Sequence, residues 1–376
     1  MSLENWYQDY PPKSKPDKLL FFAALFLVLF GLMMIISSST ILGFKVYNDS
    51  FYFVKKHLLF IGMGIVPFLL GYMIPHQVWR KWSFYLWIGS LFLVLLTYIP
   101  HIGSTAGGSS RWINIAGFRF QPSDVLKLTL FLYVSHLLDL RKDYLKDFKQ
   151  VVLPVFTIIG ISALLVLKQP DLGTSIVLGS VSLILLFISG FPMVYLVTIF
   201  SGALLAAIFS ILHNPYQLKR VTAFLNPWDD PLGKGFHIIQ SLIAVGNGGL
   251  FGLGIGQSRQ KFFYLPQQYT DFIFSIIAEE FGFIATSIFI LFFLFFIYRS
   301  FLIAARNQDL FSKLLCVGLA LWIAIQAIIN ISVTINLMPT KGITLPFISF
   351  GGTSLIMIMW ITGIILNISR YRNITQ

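Results

Sequence analysis

About ten stretches of the chain run for roughly 20 predominantly apolar residues, the length needed to cross about 30 Å of hydrocarbon. They fall near 19–42, 55–75, 82–100, 122–140, 151–168, 172–190, 191–213, 272–298, 313–338 and 347–369. Of the 376 residues 56% are hydrophobic and 11% charged, too little polar surface for a water-soluble globule of this size. The bilayer is therefore the expected solvent, and the fold class an all-α polytopic membrane protein.

The polar segment 1–18 carries Lys13, Lys15 and Lys18, and no small-residue cleavage site closes the apolar run after it, so an uncleaved anchor is expected. The expected organisation is this N-terminal segment, one membrane domain over 19–369 and a tail over 370–376. Seven spans precede a long loop at 214–270, and three follow it. Lys and Arg number 14 on the side holding both termini and seven, Lys56 among them, in the short loops of the other, which puts the termini in the cytoplasm and the long loop outside. The net charge of +12 is spread over both faces, so it reads as topology rather than a nucleic-acid surface. The single cysteine, Cys316, lies in an apolar span and reads as packing.

A loop of that length is functional or disordered more often than it is a connector. Within it, Phe236 to Leu250 is apolar but too short to span, and is expected to re-enter or lie on the membrane surface. At its end the run KFFYLPQQYTDFIFSIIAEE puts Asp271 at the mouth of a span, with Lys261 before it and Glu279 and Glu280 after it. An acid there is either a functional group or a helix-start residue favoured by the dipole beside a Thr270 cap; the fragment alone leaves both open. Glu279 and Glu280 point about 100° apart on a helix and cannot share one partner, so structural pairing is expected of them.

QPSDVLK opens the fourth span, and Asp124 and Lys127, three apart, share a helical face. A charged pair in a span is either self-neutralised structure or the lining of a polar cavity; the cavity is the favoured reading. Before it, GGSSRWINIAGFRFQ sets Arg111 and Arg119 in a Gly-rich loop. Arginine suits phosphate, and equally headgroup anchoring beside Trp112. QPDLGTS with Asp171 and Thr174 is a cap signal, and PTKGITLPFISFGGTS a broken helix. GxxxxGK[ST], HExxH and paired CxxC are all missing, which leaves ATPase, zincin and thiol-ligated metal chemistry without support.

Taken together, SSRWINIAGFRFQPSD, QPDLGT, RVTAFLNPWDDPLGKGFHIIQSLIAVGNGGLFGLGIGQS, YLPQQYTDFIF with AEEFG, and PTKGITLPFISFGGTSL resemble the SEDS family (shape, elongation, division and sporulation), and the PTKG form its division-type branch. The resemblance implies a peptidoglycan glycosyltransferase polymerising lipid II on the outer face of the cytoplasmic membrane. It implies as partners a class B penicillin-binding protein and divisome regulatory membrane proteins. Asp271 matches the family's essential aspartate, and Asp124 and Lys127 its cavity acid and lysine, although Glu is usual at 124 and His at 269, where this chain has Tyr269. On this basis Asp271 is the expected base for the acceptor hydroxyl. Thr270 and Asp124 are expected to bind substrate, and Arg111, Lys127, Lys261 or a divalent cation (Mg or Mn) to offset the pyrophosphate. A lipid-precursor flippase, a RodA-like elongation polymerase and a scaffold that only activates the penicillin-binding protein are the competing readings.

Overall fold

The computed structural model describes residues 12, 14–99, 102–106, 109–115, 118–213, 218, 222–233, 235–262, 265–340 and 342–371. Lys13, Lys341, Arg372 and parts of the 214–270 loop lie outside that set. The described elements are α1 (Lys18–Tyr47), α2 (Tyr52–Met73), α3 (His76–Leu96), β1 (Gly103–Ala106), β2 (Ser109–Ile115), β3 (Phe118–Phe120), α4 (Pro122–Leu140), α5 (Leu153–Lys168), α6 (Leu172–Ile188), α7 (Met193–His213), α8 (Phe236–Asn247), α9 (Ile273–Ala305), α10 (Leu310–Thr334) and α11 (Gly352–Ser369). Each expected apolar segment holds a helix. Among the described residues six are long and apolar enough by length and composition to cross a membrane: α1, α2, α5 with the turn before it, α9, α10 and α11.

Helix α4 runs through the middle of the bundle, with Leu126, Leu128, Leu130, Phe131, Leu132, Val134 and Leu138 all buried. That central place is why its first turn buries Asp124 and Lys127. Helix α11 packs closely on α2, where Gly71 faces the Trp360 carbonyl at the distance of a missing Cβ and Gly363 faces the Phe68 carbonyl. Between membrane helices, small residues of this kind allow the backbones to approach.

Helix ends follow their caps. Asp17 accepts from Leu20 N at 3.0 Å and pairs with Arg299, pinning the start of α1 to α9. Asp309 accepts from Ser312 N at 3.0 Å at the start of α10. Asp171 accepts from Thr174 N at 3.1 Å, the cap its motif announced.

Two regions differ from the sequence expectation. The Gly-rich loop before α4 is not irregular but an antiparallel sheet in the order β1-β2-β3, with Ile113 opposite Phe120 and Asn114 opposite Arg119. The alternation in RWINI explains it: Ile113 turns inward while Asn114 is exposed. The last helix begins at Gly352 rather than near 347, because Pro346 and the Gly351–Gly352 pair break the run before it.

The 214–270 loop holds α8, which lies against α9 and α10 and buries Ile238, Ile239, Ser241 and Ala244. The glycine-rich turn after α8 then runs along α9. Leu253 N and Gly254 N donate to the carbonyls of Glu279 and Glu280, both at 3.0 Å, while Phe283 N and Ile284 N donate to those of Gly249 (2.9 Å) and Leu250 (3.1 Å). Helix α9 is broken there at Gly282, whose φ of 70° and contact with the Gly252 backbone leave no room for a Cβ. Ten residues into α9, about 15 Å from its start, the irregular backbone is thus paired with protein, as it must be away from water.

Candidate active site

The start of α2, the β2–β3 hairpin, the first turns of α4 and α6, the run into α9 and the segment before α11 meet at one end of the bundle. They enclose a cavity of about 870 Å³, within the size range of small-ligand sites. Asp271 lines it together with Asp124, Lys127, Lys56, Arg119 and Thr270.

Asp271 reaches the cavity because the chain around it is held by the segment before α11. The carbonyl of Tyr269 accepts from Phe350 N at 2.9 Å, that of Thr270 from Ser349 Oγ at 2.6 Å, and that of Asp271 from Asn330 Nδ2 at 2.8 Å. The cap position of α9 falls on Phe272, which offers no side-chain cap. The Thr270 hydroxyl donates to Gln267, to the backbone carbonyl at 3.2 Å and Oε1 at 2.9 Å. The capping reading of Thr270 therefore fails, and what distinguishes Asp271 is its place in the cavity wall. Tyr269 packs on Phe53 at 4.6 Å between ring centroids. Burial, with Tyr47 and Asp271 nearby, pushes its phenol above the usual value, so it stays protonated and is no base at neutral pH.

Deeper in, Asp124 Oδ1 and Lys127 Nζ are 2.8 Å apart, and both residues are 4% exposed. Lys127 also lies 4.5 Å over the Trp322 ring. Asp124 Oδ2 has no hydrogen-bond partner among the protein groups, which leaves it an acceptor in the cavity wall. Gln326 is held by Trp322 Nε1, at 2.8 Å to its Oε1, and donates to the Thr344 carbonyl at 3.0 Å.

Two expected substrate-binding residues stand elsewhere. Lys261, 4% exposed, is absent from the cavity lining; its Nζ lies 3.0 Å from Glu280 Oε1 and donates to the Gly256 carbonyl at 2.5 Å. It neutralises a buried carboxylate and has no surface left to give a ligand. Glu279 accepts from Ser258 Oγ at 2.5 Å and Arg259 N at 3.1 Å, while Ser258 N donates to Glu280 at 3.4 Å, so both glutamates are held by groups of the protein. Arg111 is also outside the lining: it donates to the Pro170 carbonyl at 2.6 Å and stands 3.7 Å from Asp171, fastening the sheet to the start of α6. Sequence reasoning counted Lys56 only as a loop charge and read Arg119 as suited to phosphate or headgroups without carrying it to the site, although both line the cavity. Their signal was position: each stands within a turn or two of the start of an apolar helix, α2 or α4.

Among the described residues no three His, Cys, Asp or Glu side chains gather as a metal site. The two cavity acids come from separate elements and Asp124 is already paired, so the donor set does not form a protein-only cage for a divalent ion.

Gly342 borders the catalytic candidate, and a Cβ built there would stand 3.2 Å from Asp271 Oδ2. Gly342→Ala is expected to displace that carboxylate by a few tenths of an ångström and to slow turnover roughly tenfold, on the scale at which a 1 Å misplacement costs about 10². The check is the initial rate on the family's substrate beside the melting temperature in detergent, which should barely move.

The family profile described as "Cell cycle protein", for FtsW, RodA and SpoVE, matches residues 17–374. Stage V sporulation protein E of Bacillus subtilis (strain 168) is 41% identical over 359 residues, covering 96% of this chain and 98% of that one. A probable peptidoglycan glycosyltransferase FtsW of Geobacter sp. (strain M18) is 38% identical over 353 residues, covering 94% and 96%. A solved peptidoglycan synthase complex, studied for its structural coordination of polymerization and crosslinking, contains a chain of the same fold at a TM-score of 0.78 and 27% identity, covering 95% and 99%. The match along nearly the whole chain makes this protein a member of the SEDS family of FtsW, RodA and SpoVE.

Proposed function

We propose that the chain is a peptidoglycan glycosyltransferase that polymerises lipid II. The observation that carries this reading is Asp271 in the wall of a cavity that also presents Lys56, Arg119 and Lys127. Relatives named as peptidoglycan glycosyltransferases support the class. Lipid II brings its own leaving group, so the site needs a base for the acceptor and cations for the departing diphosphate. Asp271 takes the proton of the acceptor 4-hydroxyl as that oxygen bonds to the donor's anomeric carbon. The bond from that carbon to the diphosphate oxygen breaks with inversion, and the negative charge released is met by Arg119, Lys56 and Lys127.

All ten apolar helices cross the membrane in this reading, with the cavity outside and both termini in the cytoplasm. Support comes from the cations at the end of the bundle away from the cavity, among them Arg80, Arg141, Lys142, Arg299, Arg306 and Arg370. A class B penicillin-binding protein supplies crosslinking, as the resemblance to a synthase complex suggests. Divisome membrane proteins regulate it, and the role is septal wall synthesis, which the PTKG run and the FtsW relatives favour. The sporulation relative at 41% favours a spore-wall role as the second reading.

Purified protein reconstituted with its cognate class B partner should convert lipid II into glycan strands. No strands from the assembled pair would instead favour a flippase or scaffold. Depletion in cells separates the roles: filaments mark a septal enzyme, normal division with defective spores the sporulation one.

A further inference from the structure

We infer that Asn330, buried in the last turns of helix α10, is a positioning residue for Asp271. This rests on the reading of Asp271 as the base. The Asn330 side-chain nitrogen donates at once to the Asp271 carbonyl (2.8 Å) and to the Ile343 carbonyl (2.7 Å). One amide thereby ties the residue that enters α9 to the segment before α11. That segment's own Phe350 N and Ser349 Oγ hold the two preceding carbonyls. Three successive peptide units ending in Asp271 are fixed, and Asn330 supplies the last tie, at the residue itself.

The chemistry of the amide supports a positioning role over packing. Two carbonyls face one end of the side chain, so that end must be the NH₂ group. The other end, Oδ1, is buried without a hydrogen-bond partner among the protein groups. A buried acceptor left unsatisfied disfavours the folded state, and an apolar side chain of similar size would fill the space without that penalty. The amide is therefore there for its donors. Without them, the peptide carrying Asp271 loses its link to α10, and the carboxylate its fixed height in the cavity wall.

The test uses full-length protein with its class B partner, comparing Asn330→Asp and Asn330→Leu with wild type and Asp271→Asn. Both Asn330 variants are expected to lower kcat for lipid II polymerisation by about 10- to 100-fold, the scale of a sub-ångström to 1 Å misplacement, with KM within about twofold and melting within a few degrees of wild type. Asn330→Asp should regain activity relative to wild type as the pH falls, because a protonated carboxyl can donate one of the two bonds and Leu none. Wild-type kcat in Asn330→Leu beside an inactive Asp271→Asn overturns the inference. So does a loss that follows KM or melting temperature alone. Retained turnover in Asp271→Asn sinks the base reading itself, and the positioning of that base with it.

Discussion

Asp271→Asn is expected to lower lipid II polymerisation by roughly 10²- to 10⁴-fold, the contribution of a general base, while the protein inserts, folds and engages its partner as before. Asparagine keeps the size and planar shape of the side chain but puts NH₂ in place of one carboxylate oxygen, which removes the negative charge and the ability to take a proton. The backbone carbonyl that Asn330 holds is unchanged, as are the ties at Tyr269 and Thr270. Among the described residues lining the cavity, Tyr269 and Asp124 are the other groups to weigh as bases. Tyr269 is held protonated by burial and by its neighbours, and Asp124 is 2.8 Å from Lys127 in the first turn of α4. The measurement is glycan product from the reconstituted pair, with lipid II binding by the variant as its companion. Full binding with no product supports the base. Product at near wild-type rate removes Asp271 from the chemistry, whatever the family resemblance implies.

The helices and the site were unequally legible in the sequence. Apolar length marks a helix unaided, and of the aspartates that cap α1, α6 and α10 the sequence reading picked out Asp171 alone. The motif acids Asp271, just before α9, and Asp124, in the first turn of α4, come to line one cavity. Cations were harder, because a lysine near a motif can serve the ligand or a buried partner, and only the fold says which. Lys261 was claimed by Glu280, 19 residues on, and Arg111 by the Asp171 turn. Lys56, far from every motif, arrives at the cavity only because α2 packs against α11. Asn330 and Gln326 were missed for a different reason. Each is an amide within an apolar run, a signal present in the sequence and given no weight, yet together they hold the segment that carries and faces Asp271.

The pair Asp124 and Lys127 is both structure and site, and its removal should separate the two. Asp124→Ala leaves an ammonium 4% exposed against the Trp322 ring, and Lys127→Met leaves an unpaired carboxylate. Breaking a buried ion pair on one side costs about 3–5 kcal/mol, far more than the pair itself contributes, so either single variant should melt well below wild type in detergent. The double variant Asp124→Ala/Lys127→Met removes both charges and should recover most of that loss. If the pair were structural only, activity would return with the stability. The cavity places Lys127 and the unpartnered Asp124 Oδ2 in its wall, so the expected result is a stable double variant that polymerises poorly. Recovered stability with full turnover would assign the pair to the bundle alone and leave Arg119 and Lys56 as the cations that meet the diphosphate.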